Sequence, residues 1–111
     1  MIEKIVMEHL AAAGIRTVTE IPEGGIAPPF CLVEKTGGRL ENRLRGATVA
    51  LQSYGETLYA AAALNEEVIA AMEGLCEQPE IAACELNSDY NFTDTTKRKY
   101  RYQAVFDIVY Y

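Results

Sequence analysis

Lys99-Tyr100-Arg101-Tyr102-Gln103-Ala104-Val105-Phe106-Asp107-Ile108-Val109-Tyr110-Tyr111 closes the chain with strict alternation. In an extended backbone successive side chains point to opposite faces, so Tyr100, Tyr102, Ala104, Phe106 and Ile108 share one side. The pattern predicts a long β-strand with one face against a core. At about 3.3 Å per residue it runs near 40 Å, whereas a compact domain of this length is only some 34 Å across. The early part of the strand is therefore expected to project.

Working backwards, Asn87 to Thr96 reads as a polar turn region and Ile81 to Leu86 as a strand. Leu58, Ala61, Ala62, Val68, Ile69, Met72 and Leu75 keep helical phase over about twenty residues, until Pro79 stops it. Ser53-Tyr54-Gly55-Glu56 has the spacing of a capping box, so that helix is expected to start there. Phe30 to Lys35 and Ala47 to Tyr54 are further strands. The segment between them, Thr36 to Gly46, is too long and polar for a tight hairpin, and Gly37-Gly38 loosens it, so a flexible projecting arm is expected. Near the start, Ile2, Ile5, Val6, His9, Leu10 and Ala13 line one helical face, with Gly14 where a C-terminal cap belongs. Thr17 to Thr19 could add a brief strand, and Pro22, Gly24, Gly25, Pro28 and Pro29 exclude regular structure after it. The order of elements predicts a single α+β domain spanning residues 1–111: a mixed, largely antiparallel sheet of four or five strands with two helices packed on one face.

The chain has 111 residues, 50% of them hydrophobic and 23% charged, which suits a globular domain. The apolar stretch Leu58 to Leu64 is too short to cross a bilayer, and the first helix carries Glu3 and Glu8 in place of a signal core, so neither membrane insertion nor secretion is expected. Cys31, Cys76 and Cys84 lack paired spacing and read as reduced, mostly buried thiols. The net charge is −6, but it is unevenly spread. Lys35, Arg39, Arg43 and Arg45 form one basic segment and Lys97, Arg98, Lys99 and Arg101 another, opposed only by Glu41, which gives +7 there and −13 elsewhere. Such a body favours self-association or an acidic protein partner over DNA, since a net acidic chain repels a polyanion at range. The alternative is that both segments are solvated loop charges.

Chemistry-bearing motifs are sparse. His9 lies on the apolar side of the first helix, far in sequence from every cysteine, and reads as a core-edge residue. Asp89-Tyr90-Asn91-Phe92-Thr93-Asp94 opens like a calcium loop, but Asp94 stands at the glycine position and Tyr100 at that of the bidentate glutamate, so no metal site is expected. Neither Gly24-Gly25 nor Gly37-Gly38 supports a phosphate cradle, so no cofactor is expected. Lys97 to Tyr102 interleaves basic and aromatic residues as RNA-binding strands do, but without the glycine of that motif, and Tyr100 and Tyr102 share the core-like face; no specific nucleic acid is expected. Catalysis is not expected.

Val33-Glu34-Lys35-Thr36-Gly37-Gly38, Gln52-Ser53-Tyr54-Gly55 and the block from Leu86-Asn87-Ser88-Asp89 to Phe106-Asp107-Ile108 resemble the tail terminator, or tail completion, proteins of prophages and long-tailed phages. The resemblance implies a virion protein at the head-tail junction, assembled in the host cytoplasm. It also implies a homohexameric ring that caps the tail tube protein and offers a surface to the head-tail connector protein. Arg39, Arg43, Arg45, Lys97, Arg98, Lys99 and Arg101 are the candidate interface residues. Neighbouring neck or minor tail proteins share this size and build, and a small adaptor or nucleic-acid-binding module remains the alternative.

Overall fold

In the computed structural model, which describes residues 1–111, the elements follow the order α1 (Ile2–Ala12), β1 (Thr17–Val18), β2 (Phe30–Glu41), β3 (Leu44–Gly55), α2 (Leu58–Met72), a 3-10 turn (Leu75–Glu77), β4 (Ile81–Asn91) and β5 (Tyr100–Tyr110). The sheet is open, with strand order β1-β2-β3-β5-β4. β1 pairs with β2 in parallel and every other pair is antiparallel. This is the expected α+β domain with a mixed, largely antiparallel sheet.

Alternation decides which face is covered. Cys31, Val33, Ala47, Val49, Leu51, Ala104, Phe106 and Ile108 lie on one side of the sheet and share a single core cluster with Ile2, Val6 and Leu10 of α1 and Val68 and Met72 of α2. Both helices thus pack on that one face. Burying a side chain such as Val6 or Leu10 contributes about 2 kcal/mol. In α1 the buried residues recur every fourth position, and the helix closes in a Schellman arrangement: Gly14, at φ 83°, donates to Ala11 and Ile15 donates to Leu10.

Five expectations need correction. α2 does not begin at Ser53, which lies inside β3 and is fully buried. Its N-cap is Thr57, whose Oγ1 accepts the Ala60 N–H at 3.0 Å. Gly55 lies so close beneath the first turn that an added Cβ would meet backbone atoms of Ala60 and Ala61. The helix also stops at Met72, and the buried Leu75 is delivered by the separate 3-10 turn.

The segment from Thr36 to Gly46 is no flexible loop. β2 and β3 pair through Glu41↔Leu44, and the two-residue turn Asn42-Arg43 has positive φ at both positions (51° and 67°), the geometry that follows the twist of the strands. A bulge between Lys35 and Gly37 absorbs the extra residue. The hairpin does extend from the body, as its exposed tip shows. β4 runs to Asn91 rather than Leu86, leaving a shorter turn before β5. The early part of β5 does not project, because the strand is paired with β3 from Gly55↔Tyr100 to Arg45↔Tyr110. The molecule is 43 Å long, and its overhang belongs to the β2–β3 hairpin.

Candidate functional site

The basic segments are built differently. Between β4 and β5, Asp94 and Lys99 exchange backbone hydrogen bonds, and Asp94 Oδ1 accepts the N–H groups of Thr96 and Lys97. That ordered turn leaves Lys97, Arg98 and Lys99 exposed, with Arg98 at φ 50°. Arg101 differs from its neighbours. On the face without helices its Nε donates to the Phe92 carbonyl at 2.7 Å and its Nη1 to the Tyr54 hydroxyl at 2.9 Å. The guanidinium carbon stands 4.4 Å from the Phe92 ring centroid and 5.8 Å from that of Tyr54. Tyr54 in turn stacks on Phe30 at 4.5 Å. Arg101 is therefore held within its own chain, and it occupies the Phe92 face that a nucleobase would need.

Arg39, Arg43 and Arg45 lie exposed on the β2–β3 hairpin. The sheet register separates them from the other segment, because Arg45 pairs with Tyr110 whereas Tyr100 pairs with Gly55. Ten residue steps at about 3.3 Å put the two ends roughly 33 Å apart. They are two sites, not one patch. Between them, residues 46–96 contain no lysine or arginine but nine carboxylates. Glu66, Glu67, Glu73, Glu77 and Glu80 are exposed on α2 and the segment after it, so the helical layer is acidic.

Two strand edges are unpaired. β4 ends the sheet, and β1 covers only Cys31 and Leu32 of β2, leaving β2 free from Val33 onwards. Free edges present rows of backbone donors and acceptors that a second chain can use, while the bulges at Lys35/Gly37, Ile81/Ala83 and Leu86/Ser88 limit indiscriminate pairing.

At the end away from the hairpin lies a cleft of about 650 Å³. Ile21, Ile26, Pro28, Phe30, Tyr54 and Tyr100 give it apolar walls, and Glu56, Arg98 and Lys99 add exposed charges.

The remaining polar candidates are engaged internally. His9 Nε2 lies 2.7 Å from the Ala71 carbonyl and bridges α1 to α2. Asp89 accepts from Asn65 at 2.6 Å, and Asn91 Oδ1 accepts the Thr93 N–H. Cys31 is buried, but Cys84 is half-buried and Cys76 exposed, so the thiols are less buried than expected. Burial pushes the Cys31 thiol up to about 12, against a lesser opposing effect of the Ser53 hydroxyl. Burial, then the nearby Cys76 and Glu85, pushes Cys84 up to about 11.

Asn65 escaped the sequence reading, although its place between Ala61 and Val68 on the apolar stripe of α2, where a polar residue needs a buried partner, could have marked it. The pairing of Gln52 with Gln103, at 2.9 Å on the helix-free face, could not have been read, because it depends on register. The chain matches no family model and no curated protein.

Proposed function

We propose that this chain is a self-assembling structural protein rather than a binding module for nucleic acid. Within that class, the resemblance noted above favours a phage tail terminator, a homohexameric ring that caps the tail tube and meets the head connector. The observation that supports the reading best is the unlike character of the surfaces: basic groups at two ends about 33 Å apart, an acidic helical layer between them, and two free strand edges. Unlike surfaces join head to tail, and such contacts close into a ring when the rotation permits. A stable ring would bury at least about 800 Å² on each partner per contact.

Light scattering and sedimentation velocity, with and without tail tubes, test this. The expected particle has about six times the 12.3 kDa monomer mass, either free or on the tube end. A chain that stays monomeric at high concentration and leaves tubes uncapped refutes the terminator reading. A one-to-one complex with a host or phage protein would instead favour an adaptor.

A further inference from the structure

We infer that copies of this chain join edge to edge, with β4 of one adding to the free stretch of β2 of the next. The inference rests on the ring reading and names the contact between neighbouring subunits. The two edges cannot satisfy each other within one chain, because β3 and β5 lie between them and hold them about 14 Å apart. β2 and β4 run in opposite directions, so a second copy placed alongside in the same orientation meets the first antiparallel, as most strands of the sheet already pair. The pleat and the alternation of outward backbone groups admit only even offsets between the two copies. Counted along β3 and β5, an offset of two residues sets Val33, the first residue that β1 leaves free, opposite Asn91, the last of β4. Glu41, at the tip, then lies opposite Ala83, and each strand has one bulge inside the span, at Lys35/Gly37 and at Leu86/Ser88.

The charges fit this register. Lys35 comes opposite Asp89 on the helix-bearing face, and Arg39 opposite Glu85 on the other face. All four side chains are exposed, and none forms an ion pair within its own chain. Glu85 there faces Asp107, a like charge, so a basic group arriving at the edge is favourable. Glu34 and Glu41 meet the uncharged Tyr90 and Ala83. Leu40 and Leu86, 71% and 45% exposed, become diagonal neighbours on the helix-bearing face, and Gly38 opposite Leu86 leaves room for it. Pairing β4 with β4 of a second copy lacks this match, since β4 has Glu85 and Asp89 but no lysine or arginine. The contact is therefore heterologous, each copy offering one edge of each kind.

Three variants and one measurement on the wild type test it. The variants are Arg39→Glu, Glu85→Arg and the two together; both positions are exposed, and circular dichroism melts confirm that each variant folds. Self-association is measured by sedimentation velocity, and on tail tubes if the wild type forms rings only there. Each single reversal should weaken association by about fivefold, and the double variant should recover most of that loss. In the wild type, hydrogen exchange should show the outward amides of β4 and of β2 from Val33 onwards losing their fast exchange on assembly, while those of β3 and β5, already paired, change little. Rings whose edge amides still exchange fast, single reversals that assemble like the wild type, or a double variant no better than the single ones overturn the edge contact and leave the ring itself standing. A wild type that neither self-associates nor caps tubes overturns both.

Discussion

Arg101→Ala should separate one basic residue from the other six. In the folded chain Arg101 donates to the Tyr54 hydroxyl and the Phe92 carbonyl while its guanidinium lies against both rings. A hydrogen bond from a charged donor nets about 1.5 kcal/mol when buried, and a cation–π contact near the surface about 0.5 kcal/mol. Arg101 is only half-buried, so screening lowers these figures, and the expected loss is about 2 kcal/mol. Unfolding entropy near 2.1 cal/mol/K per residue turns that into a fall in Tm of about 8 °C for a chain of this size. Lys97→Ala is the control: its side chain is exposed, and its loss should stay within about 0.5 kcal/mol. Arg101→Lys should fall between the two, because it keeps the charge but not the planar fork. Urea unfolding at unchanged m gives the same comparison free of aggregation on heating. If Arg101→Ala and Lys97→Ala melt together, the contacts around Arg101 do not stabilise the protein and its charge is as free as the rest.

Thr57→Ala should cost about 1 kcal/mol, or roughly 4 °C in Tm, through loss of the α2 cap. Ser53→Ala should cost nothing measurable: the buried Ser53 Oγ has no partner of ordinary hydrogen-bond geometry, and the Cys31 thiol across the strand pair is a weak donor at best. Equal losses at the two positions would return the helix start to Ser53. Gly55→Ala should cost about 2 to 3 kcal/mol in urea unfolding, since the new methyl meets α2 backbone rather than a movable side chain. A thiol reagent should modify Cys76 first, Cys84 more slowly and Cys31 only on unfolding. Because Cys31 and Cys84 hold their protons to about 12 and about 11 when folded but to about 9.0 when unfolded, stability should be unaffected below pH 9 and fall as pH rises beyond it. The slope is at most about 1.4 kcal/mol per pH unit for each thiol, and Cys31→Ala should flatten it; an unchanged slope in that variant would show that other groups set the alkaline limit.

Local pattern and long-range register were unequally legible. The alternation from Lys99 to Tyr111 and the apolar stripe through Val6 and Leu10 carry their own period, so strand, helix and buried face could all be read without knowing any neighbour. The helix start could not. Ser53-x-x-Glu56 and Thr57 are both plausible caps, and the choice turned on whether β3 needed two more residues to reach the start of β5. The same cause hid the hairpin: Thr36 to Gly46 lacks the Asn-Gly signature, yet Asn42-Arg43 adopts the turn because the flanking strands pair on either side of it.

The candidate site shows the same division in its physics. Lysine and arginine could be counted from the chain, and their grouping into two segments was visible at once. Whether the segments form one patch depends on strand direction, since β3 and β5 run antiparallel and carry their basic ends to opposite poles. Arg101 shows the further step. One residue after Tyr100, it turns to the helix-free face, where Tyr54 comes from β3 and Phe92 from the β4 side. Its sequence neighbours Lys97, Arg98 and Lys99 stay on a solvated turn. A run of like charges is therefore divided by a single change of backbone geometry into three groups free to meet a partner and one that holds its own sheet together.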